Sequence, residues 1–487
     1  MRTSEPPKNP FLYEQPELLD NSKFMHQIRE QASSGANPLF YAGSPQKELW
    51  CAMAKSRQAP VLLRSPFPPE SQYPSLSVEF PAFHIFEREL WEEHQITPVG
   101  HPWLKPLRYL KGSSCKMEDY PFLSSESAAL HEVGVGPVHA GVIEPGHFRF
   151  ICNGEEIEHL EIQLGYQHRG VTKLFTKGDI RTKMQLAEAI AGDTAIGHGL
   201  AYCLSVEALC GCEPDNKINT FRKIALELER IAMHLADLSA LAGDIAYLSG
   251  LNFFAALRTT IINSSLAICG SRFGKRWLKP GGVNCGLSKE QNISLQKTLA
   301  EAETQIINCA TAMFGNSGVL NRFDSTGTIS RQTALELNMT GVTAKAAGLC
   351  LDARYDFPMA LDELFEPCIQ DSGDVFARAW LRHQEILQSL HLIDLWLKSL
   401  PVIEPGAGTE LPEPQPDKIA IAITEGWRGR IVHVVKTDSK AQTEFYRICD
   451  PSVHNWFALA LAVRGEGISD FPLCNKSFDL SYCGNDL

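Results

Sequence analysis

The segment GYQHRGVTKLF-TKGDIRTKMQLAEA-IAGDTAIGHGLAYCLSVEA, residues 165–208, is the part of the chain around which the rest is organised. Its first piece sets His168 and Arg169 in front of a glycine. Its last piece opens on Gly192, Asp193 and Thr194 and runs into an apolar helix with His198 near the start. A His-Arg-Gly turn and a helix start both present polar groups, and both can face one cavity. The residues alone favour a solvated turn followed by an ordinary core helix.

Working outward, the 487 residues suffice for a large core and, by length alone, for about three domains. The net charge of −12 and the pI near 5.7 argue against nucleic acid as a partner and against unaided binding to anionic lipid. No signal peptide is visible in MRTSEPPKNPFLYEQPELLD, and no run of eighteen apolar residues occurs, so membrane association is expected only through partner subunits. The 14 cysteines include no CxxC pair, only Cys210 and Cys212 in a CxC, and read as reduced thiols.

Residues 1–20 read as a loosely docked arm and 21–60 as helical pieces broken by turns such as SSGANP. RSPFPPESQYPSLSV, within 61–78, reads as a surface loop. FPAFHIFERELWEEHQI predicts a strand and then a short helix, and GHPWLKPLRYLKG no regular element. Between 134 and 164, Phe148, Phe150 and Cys152 alternate with His147, Arg149 and Ile151, and Asn153-Gly154 signals a hairpin. From Asp179 the chain turns mainly helical. Ile218, Phe221, Ile224, Leu228, Ile231, Leu235 and Leu238 mark one helix face after an Asp215 cap, with His234 beside it as a satisfied core histidine. Further helices are predicted at 261–269, 288–314, 330–337, 372–398 and 453–464. PVIEPGAGTELPEPQPD reads as a surface excursion and 420–437 as strands around EGWRGR. There is no internal repeat, P-loop, GxGxxG, HExxH or GxSxG.

Two stretches carry a resemblance. FERELWEEHQITPVGHPWLKPLRYL, residues 86–110, resembles the signature of the small C subunit of respiratory complex I. GPVHAGVIEPGHFRF, LGYQHRGVTKL, GHGLAYCLSVEAL, LELERIAMHLADLSALAGDI, EGWRG and the tail DFPLCNKSFDLSYCGNDL resemble the D subunit of complex I and the large subunit of membrane-bound, energy-converting [NiFe]-hydrogenases. Both parts in one chain is the arrangement of formate hydrogenlyase-type large subunits. The resemblance implies an α+β fold: a small α/β, C-subunit-like domain over 1–128, then a mainly helical D-subunit-like domain with small β pieces over 129–487.

The chain departs from that pattern at the metal. In the hydrogenases, two CxxC motifs supply four thiolates to nickel and iron, soft donors that bridge two metals. Counted from His198, the first pair of positions holds Ala191 and Thr194; the DPCxxC-like tail puts Ser481 and Gly484 at the second pair, with Cys483 one residue early. These are vestigial positions, so no metal centre is expected, and Cys203, Cys474 and Cys483 are poor substitutes because a binuclear site needs all its ligands together. The quinone contacts of complex I also weaken. The tyrosine position falls on Gly192 and the histidine position near Pro145, leaving His147, two residues on, as a possible quinone contact.

Several polar positions of the family persist: His168 and Arg169 in the HRG turn, Arg428 near the iron ligands of the hydrogenases, and Asp479 and Asp486 in the tail. With Asp193 and His198 they make the candidate cavity, either a proton relay or groups that pair and fill the vacated pocket. The resemblance implies an oxidoreductase subunit in a membrane-associated complex, not a NiFe hydrogenase by itself. It would carry no cofactor of its own and couple electron transfer from a partner to ion translocation. The implied partners are an Fe-S small subunit like the complex I B subunit, a ferredoxin-like subunit and antiporter-like membrane subunits, on the cytoplasmic face of the membrane. A structural scaffold and a quinone-reducing, NADH dehydrogenase-like subunit stay as alternatives.

Overall fold

A computed structural model of the chain describes residues 6–110, 115–139, 143–359 and 365–487. Parts of three sequence readings lie outside them: residues 1–5 of the arm, 111–112 of the proline-containing stretch, and 140–142 of GPVHAGVIEPGHFRF. The protein is α+β, as expected, and no helix among the described residues is long and apolar enough to cross a membrane.

The centre is helix α3 (Ala195–Cys210), preceded in the chain by α1 (Asn21–Ser33) and α2 (His84–His94). Its sequence is apolar all round, and every residue but Ala208 is buried, as an unsided helix requires. Against it lies α4 (Asn216–Asp244); α5 (Leu248–Cys269) packs on α4, α6 (Lys289–Phe314) on α5, and α7 (Val375–Ser399) on α4 and α6. Asp215 caps α4, and Ser288 with Gln291 forms a capping box on α6. All seven apolar residues of the α4 face are buried.

Four strands lie against α3, in the order β1 (Phe11–Glu14), β8 (Lys418–Gly426), β9 (Gly429–Thr437), β10 (Thr443–Cys449), all antiparallel. A second sheet is a meander of β2 (Asn37–Gly43), β3 (Glu48–Ala54) and β4 (Val61–Pro66). The third comprises β5 (His131–Val135), β6 (His147–Asn153) and β7 (Glu156–Gln163), with the hairpin turning at Gly154. Phe148, Phe150 and Cys152 face a core shared with α8 (Pro451–Ala462) and α9 (Phe471–Phe478). The chain ends in the one-turn helix α10 (Tyr482–Asp486).

The structure corrects the reading of the first hundred residues in four places. Part of the arm is β1, an edge strand whose Phe11 pairs with Ile421. After α1, residues 37–54 form strands instead of helical pieces. The proline-rich stretch begins as β4. FPAF forms a 3-10 turn leading into α2, because Pro81 supplies the φ of a helix start.

The first segment and the C-terminal part share one core. Trp50 of β3 packs on Phe445 of β10, 5.9 Å between rings. The glutamates of FERELWEEH explain why that motif is charged. Glu93 forks onto the Arg447 guanidinium at 2.7 and 3.1 Å, and Glu89 takes Arg108 at 2.6 Å.

A buried ion pair joins α3 to α4. Arg222 donates to both oxygens of Glu207 at 2.6 and 3.1 Å and to the carbonyls of Lys279 and Gly282. Removing one member leaves a buried charge alone, so Glu207→Ala should lower unfolding stability by about 3–5 kcal/mol. Urea unfolding measures it, and a loss below about 1 kcal/mol would show that Arg222 finds other compensation.

Candidate functional site

The residues named from the sequence divide into three groups in space. The first surrounds Arg428, in the tight turn between β8 and β9. Its guanidinium forks onto Asp193, Nη1 to Oδ1 and Nη2 to Oδ2, both at 2.8 Å. It also donates through Nε to the carbonyl of Asp479, lies 3.9 Å from the Asp479 carboxylate and rests 3.8 Å over the Trp427 ring. Trp427 Nε1 donates to the Asp193 carbonyl and to Thr194 Oγ1. The bridge runs from the interior to the rim of the site: the Arg428 side chain is 6% exposed and that of Asp193 38%. Burial alone would lower the Arg428 pKa, but Asp193 and then Asp479 overcome it and raise it.

The second group is a buried chain through His198. Its Nδ1 lies 3.1 Å from His433 Nε2, and its Nε2 lies 3.0 Å from Asp450 Oδ2. His433 Nδ1 lies 2.7 Å from the Tyr446 hydroxyl. Burial, then the neighbouring His198, pushes the His433 pKa well down, and burial raises the Tyr446 hydroxyl. Asp450 also accepts from Ser452 N and so caps α8. Its burial would raise the carboxyl pKa; the bond from His198, the charge of His198 and that of Arg428 bring it below its ordinary value.

The third group is a clasp. His168 Nδ1 donates to the Asp486 carbonyl at 2.8 Å, and Gln167 N donates to the Asp486 carboxylate at 2.9 Å. Arg169 donates to the carbonyls of Ala189 and Ile190 at 2.7 Å and to that of Cys483 at 3.5 Å. These three residues fasten α10 to the segment that carries Asp193. His147 stands apart at the start of β6. Its Nδ1 donates to the Gly136 carbonyl at 3.1 Å, its ring lies 5.2 Å from Phe122, and its Nε2 is buried with no hydrogen bond.

Ala191, Thr194, Ser481 and Gly484 do not fit a nickel–iron centre. Ala191 is buried and offers no donor atom. Thr194 Oγ1 is occupied by Trp427, Arg428 and Asp193. Ser481 Oγ caps α10 by accepting from Gly484 N at 2.9 Å. A Cβ placed on Gly484 would lie 2.5 Å from both Cγ and Oδ2 of Asp450, so the carboxylate occupies the room a cysteine would need. The thiols set aside as poor substitutes lie in different surroundings: Cys203 faces Met184, Cys474 lies beside Gly327, and Cys483 touches Ser481.

Sequence reasoning missed Asp450, His433 and Tyr446. The run Asp450-Pro451-Ser452 is a helix-start signal that marks Asp450 as a cap, but nothing in it points to His198. It also missed a buried ionic ladder between the antiparallel helices α4 and α7. Asp237 meets Arg382 at 2.6 Å, His234 meets Glu385 at 2.9 Å, and Glu227 accepts from Ser389 at 2.6 Å. Lys345 bridges Glu385 at 2.6 Å and Asp352 at 2.8 Å. The spacing of Glu227, Arg230, His234 and Asp237 puts all four on one helix face, a signal present in the sequence. Glu229, one residue off that face, accepts from Ile196 N and Gly197 N and so caps α3.

A model of the family described as "Respiratory-chain NADH dehydrogenase, 49 Kd subunit" matches residues 244–414. The carbon monoxide-induced hydrogenase of Rhodospirillum rubrum is 29% identical over 354 residues, 72% of this chain and 98% of that protein. Hydrogenase-4 component G of Escherichia coli K12 is 27% identical over 85% of this chain and 76% of its own length. The chain's homologues are subunits of membrane-bound hydrogenases and complex I-like respiratory complexes. In structure, the chain is similar to one in the membrane-bound sulfane sulfur reductase, an archaeal respiratory membrane complex. The TM-score is 0.68 and the identity 22%, covering 75% of this chain and all of the other, a shared fold.

Two outcomes check the site. Gly484→Ala should cost about 1–3 kcal/mol by overpacking and should cost less in an Asp450→Ala background. Strictly additive losses in a double-mutant cycle would show that the two positions do not meet. Asp450 is held below its ordinary pKa, so its stabilisation is complete above the unfolded value of about 4 and drains away as pH falls through the folded one. The stability gap between wild type and Asp450→Asn should therefore be widest at neutral pH and narrow in acid. A gap that widens in acid would reverse the assignment.

Proposed function

We propose that this chain is the hydrogenase-like, complex I-like subunit of a membrane-associated oxidoreductase complex, working without a NiFe centre. In this reading it couples electron transfer from an Fe-S small subunit to ion translocation. One observation carries it: the pocket that lacks all four thiolates is still built of ionisable side chains in direct contact, Asp193–Arg428–Asp479 on one side and His198–Asp450 on the other. Buried charge is costly to keep, and an apolar filling would close a vacated pocket at least as stably. The kind of assembly is supported by the homologues, which belong to membrane-bound hydrogenases and complex I-like complexes.

The partners in this reading are an Fe-S small subunit, a ferredoxin-like subunit and antiporter-like membrane subunits, with the chain peripheral on the cytoplasmic face. Residues 1–128 serve as the C-subunit-like part and 129–487 as the D-subunit-like part. The chain holds no cofactor; the Fe-S clusters belong to the partner. Its own residues supply fixed charge and proton-exchanging groups beside the electron route, where a change of charge on the partner's cluster shifts their proton affinity.

A second reading, a quinone contact, is favoured by the buried, unbonded Nε2 of His147 and by the open space around Gly192 at the tyrosine position. Binding of quinone analogues that is lost in His147→Ala would move the function there.

Arg428→Lys keeps the charge but loses the fork onto Asp193. In the intact assembly it should lower coupled ion transport about tenfold or more, for a lost charge-assisted pair of about 1.5–3 kcal/mol. Transport unchanged in an assembly of normal composition would leave the chain a scaffold.

A further inference from the structure

Asp237 lies on α4, one turn beyond His234, and is completely buried. Its Oδ2 accepts from Arg382 Nε at 2.6 Å. Its Oδ1 is buried with no donor; Lys476 Nζ comes no closer than 3.8 Å. The same ammonium holds Asp479 Oδ1 at 2.8 Å, so the two carboxyls converge on Lys476. Asp479 is fixed where it stands: it ends α9 with φ +46°, a left-handed conformation unusual for a residue with a side chain. Its Oδ1 accepts from Lys476 at 2.8 Å, and its main-chain oxygen accepts from Arg428.

Ionised carboxylates only accept hydrogen bonds, so two of them in contact repel unless a proton lies between. Asp237 is fully buried and the Asp479 side chain is 22% exposed, so water reaches the pair from the Asp479 side only. We propose that Asp237 and Asp479 share one proton, and that the ion taken up by the vacated pocket is a proton rather than a metal cation. The choice of ion follows from the surroundings. Arg382 on α7, Lys476 on α9 and Arg428 on the β8–β9 turn ring the pair, His234 is its neighbour on α4, and Asp244 answers Lys476 at the end of α4. Hard metal cations need about six oxygen ligands and would face the charges of Arg382 and Lys476, with Arg428 already forked onto Asp193. A proton needs one oxygen and forms an O–H bond.

The two carboxyls are unequal, as a proton-sharing pair requires. Burial, and then the charge of Asp479, pushes Asp237 up to about 8. For Asp479, burial is outweighed by Lys476, by the bond from Asp237 and by Arg428, which hold it well below the carboxylate range. Passing the proton breaks the O–H bond on Asp237 as one forms on Asp479, and the pair keeps a charge of −1. Release to water leaves −2 among the three cations. The choice of ion rests on the transport reading above; the shared proton does not.

The test uses Asp237→Asn, whose amide imitates the protonated acid: it accepts from Arg382 and donates to Asp479. Burial also raises the carboxyls of Glu229 and Glu425, so infrared spectra of the full chain, taken across about pH 6 to about pH 10, are read as wild type minus Asp237→Asn, and a protonated-carboxyl component should be present in the wild type and lost in the variant. Carboxyl bands identical in wild type and variant overturn the shared proton. In the intact assembly, wild-type transport should be a proton flux independent of sodium, and Asp237→Asn should abolish it. Sodium-dependent transport that survives in the variant overturns the choice of ion. A wild-type assembly that moves no ion counts against the proposed function, while the infrared band still decides the carboxyl pair.

Discussion

A single buried carboxylate, that of Asp450, ties together the parts of this protein that matter most. It caps α8 through Ser452 N, accepts from His198 of α3, and lies against Gly484 of the C-terminal turn. A charge so deep needs every one of these partners, and their positions follow from that need. Three segments distant in sequence are therefore fixed to one point. Glycine at 484 is the residue that leaves the carboxylate room.

Arg428 does the same on the neighbouring side. Its fork onto Asp193 pins the segment before α3, and its Nε holds the turn that ends α9. The HRG turn then clasps α10 from outside, through His168 and Arg169. Protein ion pairs thus span the candidate cavity, and His168, Arg169, Asp193 and Arg428 hold its walls together. A relay and a scaffold draw on the same contacts; whether protons move along them separates the two.

Buried ionic pairing also organises the larger framework. α4 and α7 face each other through Asp237–Arg382 and His234–Glu385, while Arg222–Glu207 joins α3 to α4. α2 reaches the C-terminal sheet through Glu93–Arg447. Directional pairs of this kind set the register between helices that apolar contacts alone leave free to slide.

What was legible in the sequence was local. The seven apolar positions of α4, its Asp215 cap, the Ser288 start of α6 and the Asn153-Gly154 hairpin were readable because period, cap and turn each depend on neighbours a few residues away. That Ala191, Thr194, Ser481 and Gly484 carry no thiol was equally plain, being a matter of residue identity. β2 and β3 were missed because they are buried on both faces and show no alternation, and β1 because its partner lies about 400 residues on. The meeting of Asp450 with His198 and Gly484, and of Asp237 with Asp479, was decided by the tertiary structure alone. Each requires two helices or turns to be packed before the charges touch, and no spacing along the chain encodes that contact.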